Sequence, residues 1–339
     1  MNTIYRNKTL DNLRGVAIII MIMANSWPYV YPFDECPLFL RVLFSTAAPI
    51  FVYISGYVNG FQVKDITKRN SLKRPLQILV LAVLIDLFVW NIVPFVTFDV
   101  LYLIAISMIV LNYLRELNKN YFVLMTLGLL SFNTFLVNKY DFDFSEISLT
   151  NDLSDYNVIN VLQHFLYDGW FPIFPWMGIF FLGYFISKYC RIKKVDLYLY
   201  VGLFFLCAYF ISLNLKIQTV QPMRKGYTEL FYPLTGIFWF YLVGILATIT
   251  FFIKTNKYFN KELSLIGTFS LPVYIFHTLV ISYILPFFSQ EADKYLIYNT
   301  IFIMILFYFL IFIYVIILNK LRTKFRDGSL KYLGYILGV

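Results

Sequence analysis

With 339 residues, 60% of them hydrophobic and only 14% charged, and a mean hydropathy of +0.70, the chain has more apolar surface than a water-soluble domain can hide. In lipid, only helices or closed barrels satisfy their own backbone groups, and the apolar runs here have helical length. The formal charge of +9 lies between those runs, not on a basic, aromatic-interleaved module. That excludes nucleic acid as a partner and leaves membrane topology and anionic lipid heads as the use of the charge.

The expected fold class is all-α: a polytopic bundle of about ten transmembrane helices forming one integral membrane domain over 1–339. In chain order the expected spans are 10–31, 38–62, 75–96, 100–114, 120–138, 171–188, 196–214, 230–253, 263–287 and 295–319. The fourth is short for a hydrocarbon core of ~30 Å and needs thinned lipid or shielding neighbours. The first follows a charged segment with no small-residue cleavage site, so it reads as a retained span and not a signal peptide.

Lys and Arg set the direction of the chain. Arg6, Lys8 and Arg14 precede or open the first span. Lys64, Lys68, Arg69, Lys73 and Arg74 fill the second connection, and Arg115 and Lys119 the fourth. Lys188, Arg191, Lys193 and Lys194 fill the sixth, and Lys254, Lys257 and Lys261 the eighth; Lys320, Arg322, Lys324, Arg326 and Lys331 follow the last span. Every second connection is basic and is therefore assigned to the cytoplasm, with both termini. The alternate connections carry Asp34 and Glu35, Asp99, the acidic segment 139–170, and Glu291 with Asp293. Arg224 and Lys225 break the trend on the outer side. The extracytoplasmic loop 139–170 is long enough to imply a task of its own. The three cysteines, Cys36, Cys190 and Cys207, fall outside, inside and within a span. No pair shares a compartment, so neither a disulfide nor a metal cluster is expected.

Polar groups inside a bilayer are candidates for function because burying them unpartnered is expensive. Asn25 lies about fifteen residues past the start of the first span, and His277 about fourteen into the ninth, at ~1.5 Å per residue a similar depth in the outer half. Asp86 lies slightly deeper in the third. Each has a plainer reading as a hydrogen-bonding glue between helices. His164 and Asp168, four apart before the sixth span, share a face on a helical turn, so the carboxylate can orient the imidazole as a base. The plainer reading is a solvated loop histidine. The prolines of Phe171-Pro172-Ile173-Phe174-Pro175-Trp176 bend the chain just beyond it. The cluster Lys68-Arg69-Asn70-Ser71-Leu72-Lys73-Arg74-Pro75 reads equally as a topogenic loop or as a phosphate clamp at a helix start.

Five segments, in order, resemble the transmembrane acyltransferase superfamily, which includes heparan-α-glucosaminide N-acetyltransferase and bacterial sugar O-acetyltransferases. They are Thr9-Leu10-Asp11-Asn12-Leu13-Arg14-Gly15 with Met21-Ile22-Met23-Ala24-Asn25, then Ala47-Ala48-Pro49 through Ser55-Gly56-Tyr57, and Leu72-Lys73-Arg74. Phe171-Pro172-Ile173-Phe174-Pro175-Trp176 to Gly183 and Ser270-Leu271-Pro272 through His277 complete the set. Each segment is weak alone; the order makes the set more specific.

The resemblance implies transfer of an acetyl or other acyl group from acetyl-CoA to a hydroxyl or amine of a glycan at the extracytoplasmic side, without a metal. Arg14, Lys73 and Arg74 would then meet the CoA phosphates, and Asn25 would lie near the reacting centre. Asp86, Trp176, Arg224 and Lys225 would serve the acceptor. Relatives often carry a histidine at or soon after the end of the first span, whereas 25–36 contains none here. His164, Asp34 or Glu35 can take that part, with His164 the favoured base, unless this member has another activity. Asn25 and His277 are candidate oxyanion donors. Ser26 is a nucleophile candidate with no evident base beside it. The implied partners are membrane lipid, acyl-CoA and a saccharide acceptor, and a homo-oligomer is left open. A proton-coupled transporter or flippase for a small anionic or lipid-linked substrate is the competing class, though no paired broken-helix repeat supports it. A non-catalytic assembly partner is the third.

Overall fold

The structure, a computed structural model, describes residues 7–31, 36–61, 68–139, 157–190, 194–214, 238–256, 260–289, 296–332 and 334. No strand occurs among them. The helices are α1 (Lys8–Val30), α2 (Leu38–Phe44), α3 (Ala47–Gly60), α4 (Lys68–Ile85), α5 (Val100–Leu114), α6 (Lys119–Lys139) and α7 (Val158–Gln163). They continue as α8 (Ile173–Tyr189), α9 (Asp196–Asn214), α10 (Phe238–Thr255), α11 (Lys261–Thr268), α12 (Ser270–Tyr283), α13 (Leu285–Ser289) and α14 (Leu296–Asp327). Among the described residues, five stretches are long and apolar enough to cross a membrane: Lys8–Val30, Leu38–Gly60, Phe238–Thr255, Ser270–Phe287 and Phe302–Arg322. Val158–Asp168 with Ile173–Tyr189, bent by 44°, forms a sixth if the pair is one span.

Two differences from the sequence expectation have visible causes. The helix expected over 75–96 starts at Lys68 and stops at Trp90, in a π-helical turn spanning Asp86–Trp90. Asn91 takes the left-handed conformation there, with φ 52°, and Pro94 follows, so the helix cannot run on. The span expected over 263–287 is three helices, interrupted at Phe269 and Ile284. Pro272 and Pro286 each fall in the first turn of the helix that resumes, where a missing N–H leaves no intrahelical bond unmade. Pro49 does the same for α3 after the turn at Ser45 and Thr46.

The helices gather into two compact units. The first contains α1, α2, the start of α3, the end of α10, and α11 to α14. Here α1 packs along α11. Asn7 caps α1 by accepting from the Thr9 and Leu10 N–H groups, and Asn260 caps α11 by accepting from Glu262 and Leu263. Asn12 is fully buried and joins the two: its amide donates to the Lys8 carbonyl at 2.9 Å, and its oxygen accepts from the Asn260 N–H at 3.0 Å. Glycine makes the crossing close enough. A Cβ at Gly15 would strike the Leu263 carbonyl, and one at Gly267 the Asp11 carbonyl. The Thr9–Gly15 segment is thus first of all a lock between α1 and α11.

The second unit contains the rest of α3, α4 to α9, and the start of α10. Its α4 packs on α5, and α6 on α8. Gly56 and Gly183 make the same kind of crossing between α3 and α8: a Cβ on Gly56 would meet the Phe180 carbonyl, and one on Gly183 the Tyr53 carbonyl. Lys188, at the end of α8, donates to the Arg115 carbonyl at 3.1 Å and to the Tyr184 hydroxyl at 2.6 Å. Its ammonium also lies over the Tyr184 and Tyr189 rings.

Candidate functional site

In the second unit, the chain leaving α7 tightens into a π-helical turn, His164–Asp168. Such turns recur at functional positions because they redirect side chains that an α-helix would space differently. His164 Nδ1 lies 2.7 Å from Asp168 Oδ1. A carboxylate only accepts, so the neutral ring carries its proton on Nδ1 and leaves a lone pair on Nε2. The Gln163 amide donates to the other carboxylate oxygen, Oδ2, at 2.8 Å. The Asp168 side chain is 1% exposed and that of His164 is 20% exposed. A buried carboxylate thus holds a partly open imidazole, the arrangement a general base needs.

The support beneath this turn is the connection between α4 and α5. Trp170 N–H donates to the Thr97 carbonyl at 2.9 Å, and Phe171 N–H to the Phe98 carbonyl at 3.1 Å. The Phe165 ring meets Phe98 edge-on, with centroids 4.7 Å apart. Phe95 and Phe98 both hold positive φ, 70° and 52°, a conformation that costs a bulky residue energy and persists only where its surroundings impose it. Asp86 helps to impose it: its Oδ2 accepts from the Tyr102 hydroxyl at 2.6 Å and from the Phe95 N–H at 3.3 Å. Asp86, Tyr102 and Phe98 are all buried. Trp176 is buried as well, edge-on to Phe171. Lys73 is exposed and Arg74 half-buried, both in the second turn of α4.

The other candidates are in the first unit. Asn25 Nδ2 lies 3.2 Å from His277 Nε2. His277 is fully buried, and its Nδ1 is hydrogen-bonded to the Tyr274 carbonyl. The carbonyl must accept, so Nδ1 carries the proton and Nε2 accepts from the Asn25 amide. Neutral His277 then has no N–H left for a reacting oxyanion, whereas Asn25 has a second amide hydrogen beyond this bond. Ser26 donates back to the Ile22 carbonyl at 2.6 Å and contacts Met304 Sδ at 3.5 Å, so its hydroxyl is turned into the helix. Arg14 Nη1 lies 3.6 Å from the buried Asp11 carboxylate.

The structure therefore brings together His164 with Asp168, and Asn25 with His277. Asp86 meets Tyr102 and Phe95, two partners that sequence reasoning did not anticipate. Gln163 was also missed as a partner of Asp168: five apart, the two meet across a π turn, and nothing in the residue types announces one. Arg224, Lys225, Asp34 and Glu35 lie outside the described residues. Among the described residues no group of three His, Cys, Asp or Glu side chains is placed to hold a metal.

No curated protein matches the chain closely enough to count as a relative. The profile of one family, described as heparan-alpha-glucosaminide N-acetyltransferase, catalytic, matches residues 6–200, a stretch that includes the His164–Asp168 turn, Lys73 and Arg74, and Asn25. A match over more than half of the 339 residues, on a chain with helices fit to cross a bilayer, places this protein in the heparan-alpha-glucosaminide N-acetyltransferase catalytic family of membrane acyltransferases.

Proposed function

We propose that the protein transfers an acetyl group from acetyl-CoA to an amine or hydroxyl of a glycan at the extracytoplasmic side, with His164 as general base. The observation that carries this is the His164–Asp168 hydrogen bond inside the family match. The acceptor's O–H or N–H gives its proton to His164 Nε2 as its heteroatom attacks the thioester carbonyl carbon. The C–S bond then breaks, and the proton passes to the departing thiolate. The products are an acetylated glycan and free CoA, with no redox partner and no covalent enzyme intermediate. Asp168 keeps the ring in the reactive tautomer and stabilises the imidazolium that forms. Lys73 and Arg74 are assigned to the phosphates of acetyl-CoA from the cytoplasmic side. Arg14, in the other unit and beside Asp11, is assigned the same role independently. Asn25 and His277, in the other unit, are a separate assignment made on their own hydrogen bond: Asn25 as an oxyanion donor, with His277 as the group that orients it.

For the acceptor side we assign Asp86 and Trp176 as buried supports, and Arg224 and Lys225 as the charges that draw an anionic or phosphate-linked glycan. We assign both termini to the cytoplasm and ten spans to the chain on the charge alternation of its sequence, counting the short apolar helices Val100–Leu114 and Asp196–Ser212 among them.

Detergent-purified protein, labelled acetyl-CoA and an α-glucosaminide test the reading. The α-glucosaminide is the acceptor class in the family's name. His164→Ala should lower turnover by about 10²–10⁴-fold while acetyl-CoA still binds normally, because a base acts on the acceptor and not on the donor. Normal turnover would remove His164 from the mechanism.

A further inference from the structure

We propose that Gln163 is a positioning residue for this transfer: through Asp168 it keeps the His164 ring in the tautomer that presents an unprotonated Nε2. The inference rests on the reading of His164 as the base. The geometry is a chain of three side chains across one π turn. Gln163 Nε2 donates to Asp168 Oδ2 at 2.8 Å, and Asp168 Oδ1 faces His164 Nδ1 at 2.7 Å. Rotation of the carboxylate about its Cβ–Cγ bond would carry the imidazole with it. The Gln163 amide binds Oδ2 and opposes that rotation. Asp168 is almost wholly enclosed, so water is a poor substitute for the amide. Gln163 itself touches no reacting atom, since its amide faces the carboxylate and not the open edge of the ring.

The backbone makes this contact. In an α-helix, side chains three and four apart are neighbours, and residues five apart diverge. The π turn carries a bond from Gly169 N–H to the His164 carbonyl at 2.9 Å, five residues back. That wider turn brings positions 163 and 168 within reach while keeping 164 and 168 together. One turn thereby serves three polar groups.

The test is a double-mutant cycle with kinetics on an α-glucosaminide and acetyl-CoA. Gln163→Leu removes the donor, and Gln163→Met does so with an unbranched side chain should leucine pack badly. Either should lower kcat by about tenfold or more with both KM values near wild type. In the Asp168→Asn background, where there is no carboxylate to hold, the same change should alter kcat by no more than about twofold. Diethyl pyrocarbonate gives a readout independent of turnover. The chain has two histidines and His277 is fully buried, so carbethoxylation followed by mass spectrometry reports His164. Its rate should fall severalfold in Gln163→Leu. An unchanged rate, or an equal loss of kcat in the Asp168→Asn background, overturns the inference. If His164→Ala keeps full turnover, the base assignment itself has failed. If His164→Ala is inactive while Gln163→Leu has normal kcat, only the role of Gln163 has.

Discussion

Each of the two histidines is held by a group that can only accept, and this fixes what each nitrogen can do. His164 has Asp168 at Nδ1, which leaves the lone pair of its neutral ring on Nε2. His277 has the Tyr274 carbonyl at Nδ1 and uses Nε2 to orient Asn25. Asn25→Leu leaves a buried ring nitrogen without its donor and should lower stability by about 1–3 kcal/mol, as should His277→Leu for the reverse reason. The double variant should lose clearly less than the sum of the two, because it removes both halves of one bond. Unfolding of the detergent-purified proteins measures this; strictly additive losses would mean that the two side chains do not interact. The sequence made these pairs legible for different reasons. Asn25 and His277 stand at like depth in spans that run the same way, and His164 and Asp168 are a turn apart. The contacts of Tyr102 and Gln163 are not legible in the sequence, because each meets its carboxylate through a backbone departure, the loop 91–98 with positive φ at Asn91, Phe95 and Phe98, and the π turn, that residue types do not encode.

At the level of helices, proline and glycine decide where the segments break and how closely they cross. Pro49, Pro272 and Pro286 each stand in a first helical turn, so a broken span reads as a continuous apolar run in the sequence. That is why the interruptions within the apolar runs are not legible in the residue types. Pro75 behaves otherwise: it stands inside α4, whose first turns are basic and not apolar, so the helix begins before its apolar run does. The glycines of the recognisable segments prove to be contact points. Gly183→Ala would drive a methyl into the Tyr53 carbonyl and should destabilise by about 1–3 kcal/mol or more. Gly128 in α6 has nothing within 4 Å of its missing Cβ, so Gly128→Ala should stabilise by about 0.5–1 kcal/mol through helix propensity alone. Thermal melts of the two variants side by side check both signs; a neutral Gly183→Ala would mean that α3 and α8 do not cross where described.

For the whole molecule, the account joins a cytoplasmic donor to an acceptor on the far side of the membrane. The proposal of sides rests on the alternating charges of the sequence, and family membership supports acetyl transfer as the chemistry. Replacing Lys73 and Arg74 together with Ala should weaken acetyl-CoA binding by about 1–3 kcal/mol, the range of a charge-assisted hydrogen bond, with no change in acceptor affinity. Calorimetry on the purified protein measures it, and unchanged affinity would move the donor site away from α4. The proposed function requires the acetyl group to pass from one face to the other, which an enzyme working on one side does not need. Sealed proteoliposomes test it directly. Labelled acetyl-CoA is given to one face only, and an α-glucosaminide is enclosed with the other. Labelled product is expected when donor and acceptor are on opposite faces, and its loss in His164→Ala. Product formed only when both substrates share a face would contradict it.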